Sequence, residues 1–216
     1  AQDHKRIYDD DKGPNTGGMG AYCPSPLFND EMRCKVEQRI IQPVIDGMKN
    51  EGSPYKGFLY VGLMIDKNEP YVIEFNVRMG DPETQVVIPM IEGSIFEGIK
   101  SSIDGNINNY NLKSNNGYAV TVVLAAKGYP ENYNIEMAIS GLSNVNDALL
   151  FHSGTKLLNS KLVSNGGRVL NVVSINKTLE AAINNAYQEI ENISYDEIYY
   201  RKDIGKRGLR YIKGKK

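Results

Sequence analysis

Residues 72–83 read VIEFNVRMGDPE, an apolar segment with polar side chains at every second position and a Gly-Asp-Pro break at its end. This alternation predicts a β-strand, because successive side chains of a strand point to opposite faces. The polar side chains expected to share one face are Glu74, Asn76 and Arg78. The apolar side chains expected on the packed face are Ile73, Phe75 and Val77. Gly80 and Pro82 predict a turn directly after the strand.

The polar face of this strand carries groups suited to a metal ion and a phosphate. Glu74 and Asn76 offer a carboxylate and an amide oxygen, and such hard oxygen ligands bind magnesium together with waters and substrate phosphates. Arg78 adds a cation that suits a phosphate or a carboxylate. A polar strand edge without a ligand would show the same spacing. However, Asp81 and Glu83 bring two more carboxylates to the strand end, where ligand sites of open α/β sheets lie.

A second segment, residues 13–22, reads GPNTGGMGAY and lies in a predicted glycine-rich loop over residues 7–22. Gly17, Gly18 and Gly20 allow the backbone to approach a ligand and to turn its N–H groups toward an anion. The segment lacks the Gly-Lys-Ser/Thr of a Walker loop and is not a dinucleotide-binding GxGxxG at a strand–helix junction. A phosphate-binding loop and a purely structural glycine turn therefore stay equally open.

The composition is that of an ordinary globular protein. The chain has 216 residues, of which 41% are hydrophobic and 24% charged, a length suited to one large or two modest domains. Its 25 Lys and Arg residues nearly balance 26 Asp and Glu residues, so net charge does not favour a nucleic-acid or membrane partner. Basic residues concentrate only in residues 201–216, which indicates a solvated terminus or, alternatively, a nucleic-acid-binding arm.

The cysteines and histidines exclude several classes of site. Cys23 and Cys34 show no disulfide or metal spacing and are expected to be reduced thiols of a cytoplasmic protein. His4 and His152 are the only histidines, which excludes a three-histidine zinc site. No apolar run approaches the roughly 20 residues that a membrane span needs, and the N-terminus lacks the pattern of a signal peptide.

The remaining patterns predict an α+β protein. Asn29 or Asp30 starts a helix that ends at Gly52, and Thr178 caps a late amphipathic helix. Further helices are expected at 83–90 and 94–103, before an Asn-rich boundary at 106–116. Strands are expected at 58–65, 71–77, 118–126, 149–152, 155–158, 161–164 and 168–175. The first two strands should form a hairpin through 66–69, and the last two a hairpin through 164–167.

Five segments resemble, in order along the chain, the phosphoribosylamine-glycine ligase family, also called glycinamide ribonucleotide synthetase. They are QDHKR (2–6), GPNTGGMGAY (13–22), GFLY (57–60), EFNVRMGDPETQ (74–85) and NGGRVL (165–170). The Arg-x-Gly-Asp-Pro-Glu string is the family's signature, and Met79 replaces the more usual Leu or Phe. The resemblance implies that residues 1–112 form the C-terminal portion of an ATP-grasp catalytic domain, an antiparallel sheet with covering helices. Residues 113–216 would form a small, mixed, β-rich C-terminal domain.

The resemblance also implies an activity, the ATP-dependent ligation of glycine to 5-phosphoribosylamine in purine biosynthesis. The glycine carboxylate would attack the γ-phosphoryl group of ATP, and the ribosylamine would then displace phosphate from glycyl phosphate. ATP and Mg2+ or Mn2+ are the implied cofactors. The implied metal ligands are Glu74 and Asn76, and the implied catalytic residues are Arg78 and Asp81. The implied substrate- and phosphate-binding residues are Asp3, Lys5, Asn15, Thr16, Gly17, Gly18, Gly20 and Glu83.

The chain departs in two ways from the pattern of ATP-grasp enzymes, and both affect the predicted function. Many ATP-grasp enzymes carry a further acidic metal ligand about a dozen residues before the position of Glu74, where this chain has Tyr-Val-Gly-Leu at 60–63. That absence favours the ribosylamine ligases over carboxylase-type members. The family also places an N-terminal domain and the ATP lid before the QDHKR segment. The chain is therefore expected to be the C-terminal half of a synthetase, with negligible turnover by itself.

Alternative interpretations stay open. The parent could be a single-activity enzyme or part of a multifunctional purine-synthesis polypeptide. Another ATP-grasp carboxylate–amine ligase would share the metal-binding strand. A non-catalytic nucleotide- or RNA-binding module would instead use the basic tail, and its binding would weaken steeply with salt and on removal of Lys213, Lys215 and Lys216.

Overall fold

The computed structural model describes residues 1–214, so Lys215 and Lys216 of the basic tail lie outside the described residues. The chain divides into two compact units, which are described separately. Unit 1 contains Ala1–Ser25, Asp81–Met90 and the described residues from Asn116 onward. Unit 2 contains Pro26–Gly80 and Ile91–Asn115.

Short strands outnumber helices in the chain. The strands are β1 (Gln2–Asp3), β2 (Arg6–Tyr8), β3 (Lys12–Asn15), β4 (Gly20–Cys23), β5 (Tyr60–Asp66), β6 (Glu69–Asn76), β7 (Ile91–Glu92), β8 (Lys113–Ser114), β9 (Tyr118–Ala126), β10 (Leu149–His152), β11 (Thr155–Leu158), β12 (Lys161–Ser164), β13 (Arg168–Asn176) and β14 (Ile198–Tyr199). The helices are α1 (Asp30–Val36), α2 (Gln42–Asn50), α3 (Thr84–Val87), α4 (Ile95–Asp104), α5 (Leu179–Ile190) and α6 (Lys206–Ile212). A π-helical segment, Glu37–Ile41, joins α1 to α2. Short 3-10 turns occur at Asp9–Asp11, Ile88–Met90, Ile107–Asn109 and Leu142–Asn144.

Unit 1 is built on a six-stranded antiparallel sheet with the order β1-β4-β9-β13-β10, in which β14 pairs with the end of β9. The two central strands, β9 and β13, are largely buried, because both faces of the sheet are covered. Helix α5 packs on one face, and its N-cap Thr178 accepts a hydrogen bond from the N–H of Ala181 at 3.1 Å. Helix α3 covers part of the other face, where Val86 and Met90 pack against Ala21 and Ala119.

Unit 2 is built on the β5–β6 hairpin and the long helical segment before it. Asp66 pairs with Glu69, so the hairpin turn contains only Lys67 and Asn68. Both turn residues have positive φ, as a two-residue hairpin turn requires. One face of the helical segment packs against one face of β5. The side chains in this contact are Met32, Val36, Ile40 and Ile41 of the helix and Val61, Leu63 and Ile65 of the strand.

The α+β class predicted from the sequence is confirmed, as are the 58–77 hairpin and the caps at Asn29 and Thr178. The predicted loop over residues 7–22 is wrong in part, since it contains β3 and β4 and the end of β2. The predicted hairpin through residues 164–167 is also wrong, because β12 pairs with β11 and β13 pairs with β9 and β10. Asn159 and Ser160, both with positive φ, supply the two-residue turn between β11 and β12.

The boundary predicted between residues 112 and 113 separates two family domains, and it stays a prediction. The two compact units are divided differently. Unit 1 combines segments from both sides of that boundary, since β1 and β4 pair into the sheet that is centred on β9 and β13. Among residues 1–214, none of the helices combines the length and the apolar composition that a bilayer span needs.

A buried guanidinium ties the first and last segments of unit 1 together. The side chain of Arg201 is 1% exposed. Its Nε and Nη2 atoms donate to the two carboxylate oxygens of Asp203, both at 2.7 Å. Its Nη1 donates to Asp11 Oδ1 and to the carbonyl oxygen of Arg6, both at 3.0 Å. Burial alone would raise the pKa of Asp203, but hydrogen bonds from Arg201 and from the N–H of Asp10 hold it below its ordinary value.

Replacing Arg201 should therefore destabilise unit 1 strongly. Arg201→Met leaves the carboxylates of Asp203 and Asp11 without their shared cation, and removal of one member of a buried ion pair costs about 3–5 kcal/mol. Urea unfolding of the wild-type and variant proteins measures this difference in the free energy of unfolding. Arg210→Met, at an exposed position of α6, is the matched control. A loss of less than about 1 kcal/mol in Arg201→Met would contradict the assignment.

Candidate functional site

The residues predicted to form a site are distributed over both compact units. Unit 2 carries Glu74, Asn76 and Arg78, which the sequence assigns to metal and phosphate. Unit 1 carries the other candidates, which are Asp3, Lys5, Asn15, Thr16, Gly17, Gly18, Gly20, Asp81 and Glu83.

Glu74 and Asn76 lie on the same face of β6. Asn76 pairs with Tyr60, and Glu74 pairs with Gly62, and directly opposed residues of an antiparallel pair point to the same side of the sheet. A Cβ atom on Gly62 would lie 3.0 Å from Glu74 Cγ, which is tighter than an ordinary contact. The glycine therefore leaves the space that the Glu74 side chain occupies.

The strand ends sooner than its sequence predicts. β6 stops at Asn76, and Arg78 follows in a bend, exposed, with its Nη1 donating to the carbonyl oxygen of Met79 at 2.9 Å. The expectation that strand geometry aligns Arg78 with Glu74 and Asn76 is therefore wrong. A β-bulge opposite Gly62 and Leu63 also interrupts the alternation at Ile73. The predicted apolar face is not packed, since its members are 63%, 44% and 77% exposed at Ile73, Phe75 and Val77.

The two oxygen donors on β6 fit a hard divalent cation whose other ligands come from elsewhere. Magnesium usually takes one or two protein oxygens and completes its shell with waters and substrate phosphates. Glu74 is exposed and Asn76 partly exposed, so both can reach such a shared ion. Residues 1–214 contain no cluster of three or more His, Cys, Asp or Glu side chains arranged to hold a metal. A site closed by protein ligands alone, as in structural zinc centres, is therefore not present in this part of the chain.

The glycine loop, residues 13–20, uses its backbone donors internally. The N–H of Thr16 donates to the carbonyl of Lys5 at 2.7 Å, and that of Met19 donates to the carbonyl of His4 at 2.8 Å. The N–H of Gly17 donates to Tyr129 Oη, and that of Gly18 donates to Thr16 Oγ1, both at 2.9 Å. These four consecutive donors are thus occupied, which favours the structural turn over the backbone phosphate cradle.

The Asp-Pro-Glu turn, residues 81–83, is held by residues to which the sequence analysis gave no role. Arg168 Nη2 donates to Asp81 Oδ2 at 2.9 Å, and Gln85 Nε2 donates to Asp81 Oδ1 at 2.9 Å. Arg168 Nη1 also donates to the carbonyl of Gly17 at 2.9 Å. Glu83 is buried and begins α3, where its carbonyl accepts from the N–H of Val87 at 3.0 Å. Arg168 belongs to the NGGRVL segment. Its place in that family-like motif is the feature of the sequence that could have indicated a role for it.

Asp3 and Lys5 flank a buried imidazole. Lys5 Nζ forms an ion pair of 3.2 Å with Asp3 Oδ2, and this oxygen is shielded from solvent. The ring of His4, the residue between them in sequence, contacts the carbonyl of Gly20 through Nδ1, and its Nε2 accepts from the N–H of Gly205, both at 3.3 Å. Burial, and then the charge of Arg201, lower the pKa of His4 to about 4, against opposing effects of Asp203 and Asp11. His4 is therefore a neutral structural residue.

Two sequence models of one family match most of the chain. The ATP-grasp (A) domain of phosphoribosylglycinamide synthetase matches residues 1–84, and the C domain of the same enzyme matches residues 119–207. The chain belongs to the phosphoribosylglycinamide synthetase family. The family resemblance and the ATP-grasp fold expected from the sequence are thereby confirmed.

Individual members of the phosphoribosylglycinamide synthetase family agree with this assignment. The chain is 45% identical over 212 residues to a phosphoribosylamine–glycine ligase of Chlorobaculum tepidum, covering 97% of this chain and 50% of that protein. It is 43% identical to the human trifunctional purine biosynthetic protein adenosine-3, covering 98% of this chain and 21% of that protein. The crystal structure of a phosphoribosylamine–glycine ligase from Thermotoga maritima matches with a TM-score of 0.86 at 36% identity, over 94% of this chain and 50% of that one. The chain thus spans at most about half the length of these relatives.

The neutral state of His4 should make stability depend on pH. Because the pKa is about 4 in the folded protein and 6.5 in the unfolded chain, only the unfolded chain gains a proton over this window. The folded state should therefore lose about 3 kcal/mol as pH falls from 6.5 to 4, and keep that stability above pH 6.5.

His4→Gln should remove this contribution, so its cost relative to wild type should shrink as the pH is lowered. Urea unfolding at several pH values between 7 and 4.5 measures the change. His152→Gln is the matched control, because His152 is the other histidine and is exposed. An equal cost of His4→Gln at every pH would show that the imidazole takes up its proton in the folded state.

Proposed function

We propose that the natural protein ligates glycine to 5-phosphoribosylamine with ATP, through glycyl phosphate, in purine biosynthesis. Members of the family with 45% identity bear the name phosphoribosylamine–glycine ligase. The observation that carries the proposal to this chain is the pair of oxygen donors, Glu74 and Asn76, on one face of β6 opposite a glycine. This arrangement suits a cation that is shared with substrate phosphates.

In this proposal Glu74 and Asn76 hold Mg2+ or Mn2+. When bound, the ion neutralises charge on the ATP phosphates. Arg78 supplies a fixed positive charge for the transferred phosphoryl group or the acyl phosphate, since its guanidinium is exposed beside the end of β6. The side chains need no covalent intermediate in this scheme, because positioning and charge stabilisation account for most catalysis of phosphoryl transfer.

The candidates in unit 1 are assigned to the other substrates. We place Asp81 and Glu83 with Asp3 on the side of the amino substrates, because carboxylates attract ammonium groups and repel phosphates. Lys5 and the exposed Asn15 would contact phosphate or hydroxyl groups through their side chains. Thr16, Gly17, Gly18 and Gly20 would contribute shape rather than N–H donors.

The proposal extends to the domain division, the parent polypeptide and the cellular location. The division into an ATP-grasp portion, residues 1–112, and a C-terminal domain, residues 113–216, is compatible with the two matched family domains. Membership of a multifunctional polypeptide is suggested by relatives named as bifunctional or trifunctional purine biosynthetic proteins. The free cysteines Cys23 and Cys34 accord with the cytoplasmic location expected from the sequence.

Removal of the Glu74 carboxylate should abolish catalysis and leave the fold intact. Glu74→Gln, made in the complete natural protein, should lower glycine-dependent ADP release at limiting magnesium by at least about 100-fold, because a group that stabilises the transition state is lost. The exposure of Glu74 predicts little change in the thermal midpoint.

Glu69→Gln is the control on the same strand. Glu69 pairs with Lys35 at 2.8 Å and with Arg39 at the surface, and exposed pairs of this kind contribute little. This variant should keep wild-type activity. Near-normal turnover of Glu74→Gln at limiting magnesium would overturn the metal assignment, and absence of glycine-dependent ADP release in the wild-type protein would overturn the proposed reaction.

A further inference from the structure

We propose that Arg168 is a positioning residue that fastens the glycine loop, residues 13–20, to the Asp-Pro-Glu turn, residues 81–83, and thereby determines the affinity for the amino acid substrate. The inference rests on the proposed function for its substrate. Its structural part, the fastening of two segments by one guanidinium, stands on contacts within unit 1.

One guanidinium reaches both segments at once. Arg168 Nη1 lies 2.9 Å from the carbonyl oxygen of Gly17 and 3.2 Å from the carbonyl oxygen of Asp81. Its Nη2 lies 2.9 Å from Asp81 Oδ2. The Arg168 side chain is only 20% exposed, so water competes little for these bonds. Charge-assisted hydrogen bonds of this kind are about twice as strong as neutral ones.

Glycines allow the contact to be this close. A Cβ atom on Gly17 would lie 2.8 Å from Arg168 Cζ, and one on Gly18 would lie 2.3 Å from Pro82 Cδ. Gly18 also has a φ of +114°, which side chains disfavour. The loop therefore packs directly on the guanidinium and on the turn, and a larger residue at either position would separate the parts.

The strand that carries Arg168 is distorted at this residue. β13 pairs in regular register with β9 from Leu170 onward, but a β-bulge separates Leu170 from Arg168. Bulges of this kind change the direction of a side chain and are frequent beside functional sites. The bulge is thus a second feature, independent of the hydrogen bonds, in which the local backbone departs from regular strand geometry at Arg168.

The fastened region offers a substrate a partly exposed carboxylate rather than N–H donors. The four loop N–H donors are bound internally, as described above, so the loop offers no backbone cradle for phosphate. Asp81 uses one oxygen on Arg168 and the other on Gln85, but its side chain is 49% exposed and each carboxylate oxygen has a further lone pair. An ammonium group is the substrate moiety that such a surface attracts, and glycine carries one.

The test compares Arg168→Ala and Arg168→Lys with Lys156→Ala in the complete natural protein. Lys156 pairs with Glu136 at the surface of unit 1. Its substitution by alanine removes one positive charge, as Arg168→Ala does, but at a different place. Hydrogen exchange without substrates is measured at the amides of Gly17 and Gly18. Steady-state kinetics give kcat and KM separately for glycine and for ATP.

We expect faster exchange of the two loop amides in both Arg168 variants, because lysine cannot bridge a carboxylate and two carbonyls. We also expect kcat/KM for glycine to fall by about 100-fold, the effect of misplacing a binding group by about 1 Å, while KM for ATP stays at its wild-type value. Lys156→Ala should match the wild type in every measurement. Arg168→Ala and Asp81→Asn should act non-additively on kcat/KM for glycine, since they remove the same contact.

The outcomes separate this inference from the proposed function. Unchanged exchange at Gly17 and Gly18 in Arg168→Ala would overturn the fastening itself, whatever the reaction. Faster exchange with an equal rise in KM for glycine and for ATP would overturn the assignment to the amino acid substrate. If the wild-type protein releases no ADP in the presence of glycine, the proposed function fails, and the exchange experiment still decides the fastening.

Discussion

The buried guanidinium of Arg201 is the constraint on which unit 1 depends. A cation that is 1% exposed must be paired, and here its partners come from both ends of the chain, Asp203 on one side and Asp11 and the Arg6 carbonyl on the other. The pairing holds residues 3–11 beside residues 201–205. It thereby keeps His4 buried and neutral, and it fixes the backbone on which Asp3 and Lys5 are carried.

A second guanidinium, that of Arg168, explains why a glycine-rich loop need not be a phosphate loop. Phosphate-binding loops present unpaired N–H groups to the ligand. In this chain the N–H groups of residues 16–19 are turned to protein acceptors, and the carbonyls of Gly17 and Gly18 are turned to Arg168. The glycines are needed for close packing against Arg168 and Pro82. The glycines of such a loop can therefore serve close packing on a guanidinium rather than phosphate binding.

Local patterns predicted those parts of the structure that local interactions determine. The strand around residues 71–76, the hairpin turn within residues 66–69 and the caps at Asn29 and Thr178 depend on neighbours in sequence, and all four are present. The false hairpin at 164–167 arose because Asn-Gly-Gly is also a turn signal. β13 pairs instead with β9 and β10, and β9 lies more than 40 residues earlier in the chain. The contacts of Arg168 with Gly17 and Asp81 join residues 151 and 87 positions apart, and no periodicity encodes them.

The glycine opposite Glu74 relates the acid that is missing from the sequence to the geometry of the proposed metal site. Gly62 lies twelve residues before Glu74, within the stretch 60–63 where an acidic ligand is expected from the wider ATP-grasp pattern, and it is the direct cross-strand neighbour of Glu74. Any side chain there would meet Glu74 Cγ at about 3.0 Å, and a second carboxylate would add like-charge repulsion. In the proposed site, two oxygen donors from β6 leave most of the coordination shell of a magnesium ion to phosphates and water. Metal affinity at such a site depends on the nucleotide, so the chain by itself should bind the free ion weakly and bind it well only together with a polyphosphate.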